Sequence, residues 1–333
     1  MDERFSTGNL TNKVYIHKYS RLREILIGKL LTVIIDFGPF LATLFWTFLY
    51  LKLGNFDDLL FVSVLFILII SSFYFTYIFF LKYYLIKVND YSIELKKIKN
   101  PISFVFISDL HISKERAGSN RRRTKLLVKK INKLNPELVI FGGDFVGKKY
   151  DMDLLIELKN LNAKYKFGVY GNHDSMYLEE NQQSKFPTEG IKRLESLGIE
   201  FLNNEGKQIN LNGEDIYLGG ITDLFSLNFN IYKAFEKAPC DIPRFLVSHN
   251  PEIIDFIKNE DQVDLVLSGH THSGQILLPI LGPILPMPVR NKKLTRGIFN
   301  LKNTKLFISQ GSGYSGTRIR IGTECEICLM NIY

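Results

Sequence analysis

The chain is 333 residues long, enough for one domain of catalytic size and a smaller appendage. Hydrophobic residues make up 46% and charged residues 23%, near the globular average, and three cysteines are too few for the disulfide framework of an oxidising compartment. The formal charge of +8 fits nucleic acid, an anionic substrate or an acidic membrane face equally well, so position along the chain has to decide.

The start, Met1-Asp2-Glu3, is acidic, and the apolar stretch that follows is too long for a cleaved export signal. From Leu30 to Leu51 the chain is apolar apart from Asp36 and the helix-kinking Pro39, and Leu59 to Leu81 gives 23 consecutive residues without a charge. Each stretch is long enough to cross a bilayer core as a helix, and neither shows the polar stripe of a helix packed on a soluble core. Lys13, Lys18, Arg21, Arg23 and Lys29 precede the first span, and Lys82 and Lys87 follow the second. Residues 54–58 between the spans carry no Lys or Arg, although Lys52 ends the first. The distribution predicts both flanks on the cytosolic side of the inner (plasma) membrane. Asp36, near Lys29, is read as an interfacial residue. The expected organisation is a cytosolic segment over 1–29, a transmembrane hairpin over 30–86 with helices at about 30–52 and 59–81, and a cytosol-facing catalytic domain over 87–333. The basic residues around the hairpin are explained by topology, so no nucleic-acid partner is expected.

After residue 100 one pattern recurs five times: a short apolar, β-rich run ends in a side chain able to hold a metal. Residues 103–107 lead to Asp109 and His111, 138–141 to Asp144, 167–170 to Asn172, His173 and Asp174, 245–247 to His249, and 265–267 to His270 and His272. Of six histidines in the chain, only His17 lies elsewhere. A single histidine after a strand is more often a core residue, but five in this register point to a common rim at the carboxyl ends of neighbouring strands. Helical spacing over Arg121–Leu134, and shorter signals over 151–161, 188–197 and 251–259, place helices on a sheet. Strand-like runs at 216–218, 304–308 and 326–332 supply a second sheet, so the fold class is α/β, as a two-sheet sandwich. Cys325 and Cys328 share a C-x-x-C spacing with no second pair and are read as incidental.

The set Asp109-x-His111, Gly143-Asp144, Gly171-Asn172-His173-Asp174, His249 and Gly269-His270-x-His272 closely resembles the calcineurin-like metallophosphoesterases. The run Gly269-His270-Thr271-His272-Ser273-Gly274-Gln275 looks like the membrane-associated bacterial branch that includes YkuE, YaeI and the UDP-2,3-diacylglucosamine pyrophosphatase LpxG. The resemblance covers about residues 102 to 332 and implies a four-layer αββα sandwich. It further implies a first metal on Asp109, His111 and His272, a second on Asn172, His249 and His270, and Asp144 bridging both. His173 would serve the leaving oxygen, with Asp174 holding its ring. Two divalent ions can lower the pKa of a shared water and clamp the phosphoryl oxygens, and a mixed imidazole and oxygen set suits manganese, with iron, zinc or cobalt as alternatives.

Arg121, Arg122, Arg123, Arg318 and Arg320 are weaker candidates for contacts to an anionic substrate, since charge runs are usually solvated helix faces. Asp223 is read as structural. The expected function is hydrolysis of a phosphoester or pyrophosphate in a lipid-linked substrate such as UDP-2,3-diacylglucosamine. The alternatives are a general nucleotide, cyclic-nucleotide or phosphoprotein phosphoesterase, and a non-catalytic scaffold of the same fold.

Overall fold

The computed structural model describes residues 41–50, 52 and 58–333, except 116, 148, 150, 176–177, 180–181, 184–191, 227, 286 and 302. The expected segment 1–29, Asp36, the first part of the span 30–52 and residues 54–57 lie outside the described residues. Residues 41–50 are helical, and the second expected span forms α1 (Asp58–Thr76), whose described side chains begin at Val62. A π-helical turn, Tyr77–Leu81, and a 3-10 turn, Lys82–Tyr84, carry α1 into the domain. Among the described residues no helix is long and apolar enough to cross a membrane.

Among the described residues, twelve strands form the two main sheets. They are β1 (Lys87–Ile93), β2 (Ile102–Ile107), β3 (Leu138–Phe141), β4 (Tyr165–Gly168), β5 (Glu200–Phe201), β6 (Glu205–Leu211), β7 (Glu214–Gly220), β8 (Arg244–Val247), β9 (Leu265–Ser268), β10 (Gly297–Leu301), β11 (Thr304–Ile308) and β12 (Glu326–Ile332). One sheet has the order β1-β12-β2-β3-β4-β5, with β2 to β5 parallel and β12 antiparallel to β2. The other has the order β10-β11-β9-β8-β7-β6, with β7, β8, β9 and β11 parallel and an antiparallel strand at each edge. Both sheets are therefore mixed. Parallel strands need crossovers, and α2 (Arg121–Lys133) makes the one from β2 to β3. It starts where the Asn120 side chain accepts from the Arg123 N–H, and it ends before Asn135, at φ 47°, and Pro136.

Strand alternation decides which side chains face where. In β2, Phe104 and Phe106 point between the sheets while Val105 and Ile107 point to α2; in β8, Phe245 and Val247 point between the sheets while Leu246 faces away. Three apolar layers result. One lies between the sheets, one joins the first sheet to α2 and the 3-10 turns Met152–Asn160, and one joins the second sheet to α4 (Ile231–Phe235) and the turns Pro251–Phe256. The helices expected at 151–161 and 251–259 are thus 3-10 turns. Of the expected 188–197, residues 192–196 are helical and 188–191 lie outside the described residues. This stack of helix, sheet, sheet and helix sets the parallel strands of both sheets with their carboxyl ends at one rim.

Phe307 ties the layers together: fully buried, it sits edge-on to Tyr91 at 4.6 Å and to Phe106 at 6.0 Å between ring centroids. Phe307→Ala is expected to destabilise the domain by about 3 to 5 kcal/mol, measured as the shift in a urea unfolding midpoint at unchanged slope. A cost under about 1 kcal/mol would show that the inter-sheet layer collapses around the gap.

Candidate functional site

Asp109 leaves β2, Asp144 leaves β3, His249 leaves β8, and His270 and His272 leave β9. Asn172, His173 and Asp174 follow β4 in the one-turn helix α3 (Asn172–Ser175). Asp109, His111, Asp144, His270 and His272 all have positive φ, between 47° and 71°. The left-handed turns after β2, β3 and β9 direct these side chains into the rim instead of along the strand. Conformations of this kind are held by their surroundings, and they cluster at functional sites.

The ligand atoms of Asp109, His111 and His272 lie within 4.8 Å of one another, as do those of Asp109, Asp144 and His249, and those of His111, Asp144 and His173. His111 Nε2 is 2.9 Å from His272 Nε2, and His272 Nε2 is 3.3 Å from Asp109 Oδ1. Asp144 Oδ2 lies 3.5 Å from His111 Nε2 and 3.3 Å from His249 Nε2. His270 Nδ1 approaches His249 Nε2 at 3.1 Å. The far nitrogens have their own partners: His249 Nδ1 meets Gly142 O at 2.7 Å and His270 Nε2 meets Pro288 O at 3.2 Å. Where the ring is neutral, donation to those carbonyls turns the opposite nitrogen, as an acceptor, toward the cluster, which is the arrangement metal-ligating histidines use. Asn172 is buried beside them.

Close backbone approach makes this packing possible. A Cβ on Gly171 would stand 2.2 Å from Asp144 Oδ1, and one on Gly269 would stand 2.4 Å from Asp109 Oδ2. The Asp174 carboxylate accepts from the N–H groups of Gly171, Phe145 and Val146, so it fastens the loop carrying Asn172 to the loop carrying Asp144. Its described hydrogen bonds go to backbone, not to the His173 ring that it was expected to hold. His173 is half-buried; its N–H donates to Asp144 Oδ1 at 2.8 Å and its ring stands edge-on to His111.

The electrostatics favour positive charge in the middle of the cluster. Burial holds the His111, His270 and His272 imidazoles well below their ordinary range, so they are neutral and able to donate a lone pair. Burial also works against the charged form of His249, but Asp144, Asp109 and Asp223 outweigh it and push His249 up to about 10. Asp144 is likewise opposed by burial, yet the His249 and His173 charges keep it well below the usual carboxylate range. Burial raises Asp109 against the pull of His249. Burial, helped by Asp144, lifts Asp174 to about 7, and burial lifts Asp223 to about 6. Two carboxylates and four imidazoles, buried together with acceptor atoms converging, form a set that borderline divalent cations satisfy.

The five arginines are distributed differently. Arg123 is buried, donating to Tyr83 O and Ser312 O. Arg320 is fully buried behind the cluster; its guanidinium donates to Gln310 O, Gly313 O and Glu324 O and lies 3.2 Å from His272 Nδ1. Arg121 pairs with Glu157 at 2.6 Å, Arg122 lies over the Tyr84 ring, and Arg318 lies over the Tyr83 ring. Glu326, passed over in the sequence, is fully buried and accepts from Asn89, Tyr91, Ser309 and Gln310. It anchors the loop whose Gly311 packs on Asp109 and His272. The signal available was a carboxylate opening a mostly apolar strand. A separate cavity around Asn135, Glu137 and Lys164 touches none of the clustered residues.

The calcineurin-like phosphoesterase family model matches residues 102–274. An uncharacterized metallophosphoesterase of Helicobacter pylori (strain ATCC 700392 / 26695) is 29% identical over 257 residues, covering 74% of this chain and 64% of its own. The chain thus spans just under two thirds of that relative's length. A zebrafish (Danio rerio) transmembrane protein with metallophosphoesterase domain is 27% identical, covering 72% of this chain and 56% of its own. The UDP-2,3-diacylglucosamine pyrophosphatase LpxG of Chlamydia muridarum is 26% identical, covering 69% of this chain and 83% of its own.

Gly171→Ala is expected to leave the domain folded by circular dichroism while lowering the divalent cation bound per chain by about half or more, because the new methyl group displaces Asp144. Elemental analysis after gel filtration reads the outcome. Full loading would show that Asp144 does not hold the cation.

Proposed function

Because the chain belongs to the calcineurin-like phosphoesterase family, making it a metal-dependent hydrolase, we propose that it cleaves a phosphoester or pyrophosphate bond in a lipid-linked substrate, using two divalent cations. Asp109, His111 and His272 would hold one, and Asn172, His249 and His270 the other. Asp144 would serve both. The observation that carries this assignment is that a single atom, Asp144 Oδ2, lies within 3.5 Å of one imidazole from each set. When bound, the cations supply Lewis acidity and neutralise charge at the phosphoryl oxygens; manganese is the first candidate, with iron, zinc or cobalt next.

The remaining chemistry belongs to the chain. Half-buried at the edge of the cluster, His173 can carry a proton between solvent and the leaving oxygen. Its backbone bond to Asp144 fixes where the ring starts, and Asp174 holds the two loops in register. Strand ends and short turns position all of these groups, which limits their freedom before substrate arrives.

The choice of a lipid-linked substrate draws on two features. Helix α1 carries no charge among its described side chains, and Phe66, Ile67, Ile70 and Phe73 are each more than half exposed. The relatives include a transmembrane protein and a diacylglucosamine pyrophosphatase. A tether on the cytosolic face of the inner membrane, formed by the hairpin over 30–86, would place the site where an amphiphilic substrate is concentrated.

His173→Ala is expected to retain both cations and to lower kcat by about 100-fold to 1,000-fold, with a smaller loss for a p-nitrophenolate leaving group than for an alkoxide. Equal losses on both leaving groups would remove the proton from the role of His173. Detergent-dispersed UDP-2,3-diacylglucosamine is expected to turn over faster than cyclic nucleotides or phosphopeptides; the reverse ranking would establish the general phosphoesterase reading.

A further inference from the structure

The ribbon that follows the metal-ligand turn has no counterpart in the chemistry above. Leu277–Leu278 pairs with Gly282–Pro283, and the tip between them is Pro279-Ile280-Leu281. Ile280 is fully exposed and Leu281 is 72% exposed. The Leu281 N–H donates to Pro279 O across Ile280, whose φ is 70°. This is a three-residue turn of the rare, strained kind, with a β-branched residue at its centre. Neither core packing nor backbone convenience places an isoleucine there, since its side chain touches water and its backbone would prefer glycine. An apolar phase outside the protein accounts for the exposed side chain.

That phase has a neighbour in the structure. The base of the ribbon, through Leu278, Ile284 and Leu285, packs with Ile276, Ile319 and Ile321 on Ile78, at the end of α1. Around Ile78, Tyr77, Phe80 and Leu81 face outward, so the apolar surface of the helix continues into the ribbon. Basic groups flank the same junction: Arg318 over the Tyr83 ring and Arg122 over the Tyr84 ring, while exposed Lys87 is paired with Glu324 at 3.2 Å. An apolar tip with a basic flank complements the boundary between acyl chains and anionic headgroups.

At its other end the ribbon reaches the metal cluster. A Cβ on Gly274, two residues after His272, would meet Pro283 at 2.6 Å, and Pro288 O contacts the His270 ring. Gln275 fastens the same turn to Ser315 and Thr317.

We infer that residues 277–285 form a membrane-contacting lip, whose tip Ile280–Leu281 enters the headgroup and acyl boundary of a phospholipid bilayer beside the end of α1. The inference rests on the tethered reading given above. The lip would hold the rim of the metal cluster at the lipid surface, so that a phosphorylated headgroup reaches the cations while its chains stay in the bilayer.

The test uses the full chain reconstituted in vesicles of phosphatidylcholine and phosphatidylglycerol. Trp46→Phe removes the single tryptophan, and Ile280→Trp or, as control, exposed Tyr232→Trp supplies the probe. The lip predicts blue-shifted emission from position 280 that brominated phosphatidylcholine quenches, and aqueous emission quenched by iodide from position 232. Co-flotation with vesicles but aqueous, iodide-quenched emission at 280 would overturn the lip alone, and failure to co-float would overturn the tether with it. In a second arm, Ile280→Asp with Leu281→Asp should lower kcat/KM on vesicle-embedded substrate by about tenfold while leaving bis(p-nitrophenyl) phosphate hydrolysis unchanged. An equal fall on both substrates would make the tip a structural part of the site and refute the lip. Absence of hydrolysis in the unsubstituted protein would sink the proposed function, with the quenching result still deciding the lip.

Discussion

Everything at the rim depends on one electrostatic demand: Asp109 and Asp144 are buried side by side among imidazoles, and the fold brings no lysine or arginine into direct contact with either among the described residues. A buried carboxylate needs a positive partner or several hydrogen bonds, since isolation in a low-dielectric interior costs several kcal/mol or more. Here positive charge is drawn to the centre: Asp144 and Asp109 raise the affinity of His249 for a proton, and the neighbouring His249 and His173 charges hold Asp144 well below the usual carboxylate range. Divalent cations would answer the same demand with more charge, and the neutral rings of His111, His270 and His272 could hold them. The two mixed sheets exist, functionally, to bring this charge arrangement to one edge from five separate strands.

Much of this was legible beforehand, for physical reasons. A strand ending in Asp-x-His or Gly-Asn-His-Asp reads clearly because strands are short apolar runs and side chains able to hold a metal are rare: five of six histidines fall at strand ends. The two-sheet plan followed from extra strand-like runs late in the chain. Helix α2 was readable from its spacing and from Asn135-Pro136. The turns at 152–160 and 251–256 were not, since apolar spacing over nine residues or fewer does not separate an α-helix from a 3-10 segment.

The arginines show the other limit. Sequence position treats Arg121, Arg122 and Arg123 as one run, but α2 turns about 100° per residue, so the third is buried against Tyr83 and Ser312 while the first two stay at the surface. Arg320 carries its charge inward because four backbone carbonyls and a histidine edge receive it, an arrangement assembled from segments up to 48 residues apart. Glu326 is similar: its partners come from β1 and from the 309–310 segment. Long-range satisfaction of a buried polar group leaves no periodic trace, and only the folded chain reveals it.

The left-handed backbone at Asp109 and Asp144 has a consequence for what kind of acid the centre can use. Asp and Asn adopt that conformation more readily than longer side chains, because their short polar arm can bond to nearby backbone groups. A glutamate in either place would add a rotatable bond and lose that accommodation. The carboxylates are thereby kept one methylene from rigid main chain, and the spacing of whatever they coordinate is dictated by the sheets more than by side-chain choice.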